Sequence, residues 1–109
     1  MCRAIRVLCV AADADALAAL KRATVAAEWE LARGAVSPDD ALAQLEQERP
    51  HVLVVFGPFE ELVRRARERS PGIRVIADRD LPGASAVVAS MEEVRAAIKG
   101  RPRPGGPVT

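Results

Sequence analysis

Two stretches of this chain are apolar almost from end to end, and they leave few options for its fold. Ile5-Arg6-Val7-Leu8-Cys9-Val10 and Val52-Leu53-Val54-Val55-Phe56 do not alternate between apolar and polar residues. A strand with one wet face alternates. A strand covered on both faces need not, and that is the habit of parallel sheets packed between helices. Residues 73–77 and 86–89 read as shorter versions of the same kind. Residues 29–35 read as a weaker strand, suited to an edge.

Helical patterns fill the gaps. Asp13 can cap a helix running from Ala14 to about Ala26, with Leu17 and Leu20 on one face. Ser37-Pro38-Asp39-Asp40 combines a capping hydroxyl, Pro at the first helical position and acids at the positive end of the dipole. That helix buries Ala41, Leu42 and Leu45 and stops before Pro50. Glu60–Arg69 places Leu62, Val63 and Ala66 on one face and Arg64, Arg65, Arg67 and Arg69 largely outside. Ser90 is positioned to cap a last helix with Met91, Val94 and Ile98 as its buried row. Strands alternating with helices predict an α/β domain with a parallel sheet of four to five strands between helical layers. The domain should span residues 1–100. The Pro/Gly-rich stretch 101–109 cannot form a packed element and reads as a flexible tail.

Composition narrows the function. The 109 residues carry a formal net charge of +1, so nothing favours nucleic acid or a membrane surface. One Trp, two Phe and no Tyr make no stacking platform for single strands. Cys2 and Cys9 form no CxxC, and a buried free thiol suits a reducing cytoplasm. No apolar run approaches the roughly 20 residues of a membrane span, and no signal peptide is evident.

The layout resembles the response-regulator receiver domain, of the flavodoxin-like, CheY-like class. The resemblance runs from about Ile5 to Lys99. It is carried by Ala41-Leu42-Ala43-Gln44-Leu45 leading to Arg49-Pro50-His51-Val52-Leu53-Val54-Val55, by Arg67-Glu68-Arg69-Ser70-Pro71-Gly72-Ile73-Arg74-Val75-Ile76, and by Gly83-Ala84 before the fifth strand. It implies the strand order 2-1-3-4-5 and a bacterial, cytoplasmic role in signal transduction. The receiver's reactive residues do not carry over. Ala11 and Ala12 stand where an acidic pair would hold Mg²⁺, with Asp13 just beyond. Phe56 stands at the phosphorylated Asp. Asp78-Arg79 occupies the place of the switch hydroxyl, and Ser90 is nearest to the place of the lysine. A hard divalent cation wants oxygen ligands, and phosphoryl transfer needs its charge. The expectation is therefore a pseudo-receiver with no enzymatic activity and no cofactor. The link from Asp78 to Ser85 is too short for the receiver's fourth helix, so that helix should be missing or reduced. Part of one sheet face would then be bare unless something covers it. That points to a protein partner, with a homodimer foremost, and to Leu81, Val87, Met91, Val94, Arg95 and Ile98 as candidate interface residues.

A second resemblance is to the IIB component of sugar phosphotransferase systems, which implies a phosphocarrier or small-ligand module using Cys9. The loop Val10-Ala11-Ala12-Asp13-Ala14-Asp15 fits this poorly, since a phosphate cradle needs Gly and hydroxyls. Asp13 and Asp15 read as a cap and its dipole complement, or else as a shifted metal site. His51 reads as a surface or packing imidazole. Trp29, Phe56 and Phe59 line a small apolar pocket or pack as core and rim.

Overall fold

The two apolar runs become the middle of the sheet. In the computed structural model, which describes residues 5–99, β1 (Ile5–Ala11) pairs in parallel with β3 (Val52–Phe56), from Val7 opposite Val52 to Ala11 opposite Phe56. β2 (Trp29–Leu31) flanks β1, while β4 (Arg74–Ala77) and β5 (Ala86–Val87) extend the sheet beyond β3. The order is β2-β1-β3-β4-β5, every strand parallel. Cys2, Gly100 and the expected tail 101–109 lie outside the described residues.

Alternate side chains of the central strands feed two cores. Leu8, Val10, Leu53, Val55, Val75 and Ala77 face α2 (Pro38–Glu48) and α3 (Glu60–Arg69). Val7, Cys9, Ala11, Val52, Val54 and Ile76 face α1 (Ala14–Thr24) and α4 (Val94–Lys99). The caps form as the sequence predicts. Asp13 Oδ1 accepts from Ala16 N at 2.8 Å, and Ser37 Oγ accepts from Asp40 N at 3.2 Å. The α3 arginines form a solvated face, with Arg64 on Glu61 and Glu68 and Arg65 on Glu61. Arg67 is the exception: its guanidinium reaches under the helix to Ile73 O at 2.9 Å.

Three expectations need correction. The edge strand 29–35 is interrupted after Leu31. Ala32 still donates to Val7 O (2.8 Å), residues 33–34 bulge away, and Ala35 rejoins β1 through Ala35 N to Cys9 O (3.0 Å) and Ala11 N to Ala35 O (3.1 Å). Gln44, only 2% exposed, fills the bulge; its amide donates to Gly34 O at 2.6 Å and accepts from Gly34 N at 3.1 Å. Next, β5 stops at Val87 instead of Ala89. Val88 N goes to Ala77 O, and Ala89 N is taken by Glu93 Oε1 at 3.1 Å, so the chain turns into a 3₁₀ turn, Met91–Glu93, before α4. Ser90 lies at the start of that turn but makes no side-chain cap.

The third correction concerns the candidate interface. Residues 78–85 hold no helix, yet the neighbouring sheet face is largely covered. Leu81 is buried against the α2–α3 core and Ala84 packs on it. Gly83, at φ +93°, lies against Val63 and the Arg67 stem, where a Cβ would come 3.2 Å from Val63 Cγ1. Val94 and Ile98 are buried too. A six-residue helix holds by packing rather than by propensity, so its apolar residues go to the sheet. Arg74 secures its end, donating to Ala97 O and Ile98 O at 2.6 and 2.7 Å. Arg95 turns the other way, to Val25 O at the end of α1. Leu81, Val94 and Ile98 are thus core, whereas Arg95 stays exposed while tying α4 to the end of α1. Val87, 49% exposed, and the half-buried Met91 remain near the surface.

Candidate functional site

The carboxyl ends of the strands of an open parallel sheet form the natural site of such a fold. β1 delivers Ala11 there, fully buried, followed by the exposed Ala12 and Asp13. Asp13 spends its carboxylate on the α1 cap. β3 delivers Phe56 directly opposite Ala11 in register. Its ring packs towards the α1–α4 core, while Phe59 packs towards the α2–α3 core. Gly57 between them sits at φ +143°, and the Phe59 ring occupies the space of its absent Cβ, 2.6 Å from where that atom would stand. Trp29 is at the other end of the sheet, bonded through Nε1 to Thr24 O at 2.9 Å. The three aromatics therefore form no common pocket.

β4 delivers the one arrangement here that sequence reasoning missed. Asp78 N donates to Val55 O, which turns its carboxylate over the end of β3. Asp78 Oδ1 accepts from Gly57 N at 3.2 Å, and Arg79 Nε and Nη2 approach its two oxygens at 3.0 and 3.1 Å. Burial works to raise the carboxyl pKa of Asp78. The hydrogen bonds from Arg79 and Gly57 N–H outweigh it and hold the group below its usual range. Arg79, expected as an empty switch position, is the counter-ion of this latch. Ser90 lies exposed beyond β5. The available signal was the Asp-Arg pair itself, one residue past a buried strand.

Cys9 is not at the mouth of any loop. It is 1% exposed in the middle of β1, facing α1. Burial pushes its thiol up to about 11, against smaller opposing effects of Thr24 and Lys21. A nucleophilic cysteine needs the thiolate and access, so the phosphocarrier use of Cys9 is corrected. His51 sits at the opposite end of the sheet, with Nδ1 accepting from Arg6 N at 3.1 Å. Among the described residues no group of three or more His, Cys, Asp or Glu is placed to hold a metal ion. Nor is any described helix long and apolar enough to cross a membrane.

No family model matches the sequence, and no curated protein does. Solved structures do match. A CheY-like response-regulator receiver domain protein from Methanospirillum hungatei aligns with a TM-score of 0.73 and 20% identity, over 90% of this chain and 93% of that one. The chain has the receiver fold. The signal receiver domain of an HD domain-containing protein from Pseudomonas fluorescens gives 0.76 and 18%, over 90% and 94%. An orphan response regulator of H. pylori gives 0.70 and 15%, over 88% and 94%. At these identities the likeness is one of fold. The Mg²⁺ that the receiver resemblance implies does not fit the residues present. A methyl and a phenyl stand at the ends of β1 and β3, and the nearby carboxylates of Asp13 and Asp78 are committed to backbone N–H groups and Arg79.

Proposed function

We propose that this chain is a pseudo-receiver: a non-catalytic signalling domain that acts through protein contacts and has no phosphorylation cycle. The observation that carries the reading is the composition of the strand ends. Ala11 and Phe56 face each other where an oxygen-rich acceptor site would stand, and Asp78 is bound to Arg79 and Gly57. Acyl phosphates form on a carboxylate held beside a cation that neutralises charge. Phenylalanine offers no such oxygen. The three named solved structures are described as receiver or response-regulator proteins, which supports a role in signal relay, and the free thiol of Cys9 suits a cytoplasmic setting.

The test is direct. The purified chain is incubated with acetyl phosphate and Mg²⁺, and its intact mass is read. An unchanged mass is expected. A phosphoryl increment that survives neutral pH and is lost to hydroxylamine would overturn the reading.

A further inference from the structure

At the start of β4 a single peptide group is tied to both helical layers. Ile73 is buried in the α2–α3 core, while Arg74, the next residue, reaches α4 in the opposite layer, as alternation along an extended chain requires. The peptide between them is held at both poles. Its carbonyl, Ile73 O, accepts from Arg67 Nη1 at 2.9 Å, and its N–H, on Arg74, donates to His51 O at 3.1 Å. Arg67 belongs to α3. Its neighbours Arg64, Arg65 and Arg69 pair with glutamates at the surface, whereas Arg67 is spent on the main chain. Its stem lies against Gly83 and walls the open groove between α3 and Pro82-Gly83. On the far side of the sheet the Arg74 guanidinium donates to Ala97 O and Ile98 O. These are among the terminal carbonyls that a helix cannot satisfy by itself.

We propose that Arg67 and Arg74 form a relay through this peptide, by which the grip of α3 on Ile73 sets the hold on the last turn of α4. The inference goes beyond the pseudo-receiver reading and does not depend on it, since no residue of the relay lies at the carboxyl ends of the strands. A peptide group is planar and rigid, so its carbonyl and its N–H move together. Without Arg67 the Ile73 carbonyl loses its charged donor, and the peptide is free to turn about its remaining bond to His51. That turn displaces the root of the Arg74 side chain and with it the guanidinium on α4. A six-residue helix is sensitive to such a shift, because it has little stability of its own. Arg95 ties its beginning to Val25 O, so the beginning is held independently of β4. Its last turn has Ile98 in the core, Arg74 on its carbonyls and the exposed Lys99–Glu28 pair, which is worth little. The two helical layers, separated by the sheet, are thus coupled at one point.

The experiment is amide hydrogen exchange of the full chain, read residue by residue by NMR. It compares wild type, Arg67→Met, Arg74→Met, the double variant, and Arg65→Met as the control that removes a neighbouring α3 charge. The reporters are the Ile98 and Lys99 amides, set against Leu53 and Val54 in the central strand, whose exchange reports global opening. Expected is local exchange of Ile98 and Lys99, faster than that of Leu53 and Val54. Arg67→Met should speed it roughly threefold or more, in the range of coupling between members of one network. Arg74→Met should speed it further, and the double variant should exchange no faster than Arg74→Met alone. Arg65→Met should leave it unchanged. Ile98 and Lys99 indifferent to Arg67→Met overturn the relay. So does a double variant whose acceleration is the product of the two single ones, or an equal response to Arg65→Met. Exchange of all four amides at one rate in every protein overturns it too, because α4 then opens only with the whole domain. Should Arg67→Met fail to fold, Arg67→Lys carries the same test, since it keeps the stem and the charge but not the planar fork.

Discussion

Replacing Gln44 with methionine isolates what holds the β2–α2 connection in place. Gln44 is 2% exposed and makes both hydrogen bonds that the Gly34 peptide groups receive from it, at 2.6 and 3.1 Å. Methionine keeps the length and volume but cannot donate, and its sulfur accepts only weakly. The substitution strands one backbone N–H and one C=O out of water. Each such group costs about 1–3 kcal/mol, so the pair should cost roughly 2–6 kcal/mol. For a domain near 100 residues that is a fall in Tm of about ten degrees or more. Urea unfolding measures it, at unchanged m-value if the denatured state is unaffected. The effect should also be local. Ala35 links this connection to Ala11 and Cys9, so the Ala11 amide should exchange faster in the variant. Gln44→Ala should be worse still, adding a cavity. If Gln44→Met unfolds within about 0.5 kcal/mol of wild type, a surface-like effect, the two hydrogen bonds are not what fixes the bulge and the argument fails.

Two further outcomes follow from titrating groups. The carboxyl pKa of Asp78 is depressed in the fold, so its stabilisation is present above the unfolded value of about 3.9 and lost as pH falls through the lower folded value. Asp78→Asn should therefore flatten the acid limb of a Tm-versus-pH curve, and an unchanged limb would refute the latch. The thiol pKa of Cys9 is raised, so its contribution is present below the ordinary thiol value and is lost as pH rises towards about 11. In a Cys2→Ser background, native protein at pH 8 should react slowly with an aromatic disulfide reagent and promptly once unfolded in urea. Fast native labelling would contradict the burial.

The interior place of β1 and β3 was readable because both are apolar on both faces, as covered parallel strands are, and the full strand order followed from the resemblance to receivers. The caps at Asp13 and Ser37 were readable because they are local. What escaped depended on distant partners. Gln44 looks like one polar residue among others on a helix, although it lies three residues after Ala41 and next to Leu45, on the buried face. Arg95 looks like an outward charge until α1 brings the Val25 carbonyl to it. Leu81 was expected at an interface because the absent helix implied a bare sheet, and the turn that replaces the helix uses Leu81 as its own anchor. The vacancy at Ala11 and Phe56 was legible, whereas the latch beside it was not, since only the fold brings residue 78 to residue 57.

That latch also bears on how easily this pocket could be turned to phosphoryl chemistry. Phe56→Asp alone would set a second carboxylate beside Asp78, where Arg79 is already engaged. Ala11→Asp would place a charge at a position with no solvent exposure, which is strongly unfavourable without a cation to meet it. Each single step towards an acceptor site is thus opposed by what now occupies it, and the steps favour one another only when taken together. A directed-evolution experiment should therefore reach phosphorylation through combined changes at residues 11, 56 and 78 rather than through any one of them.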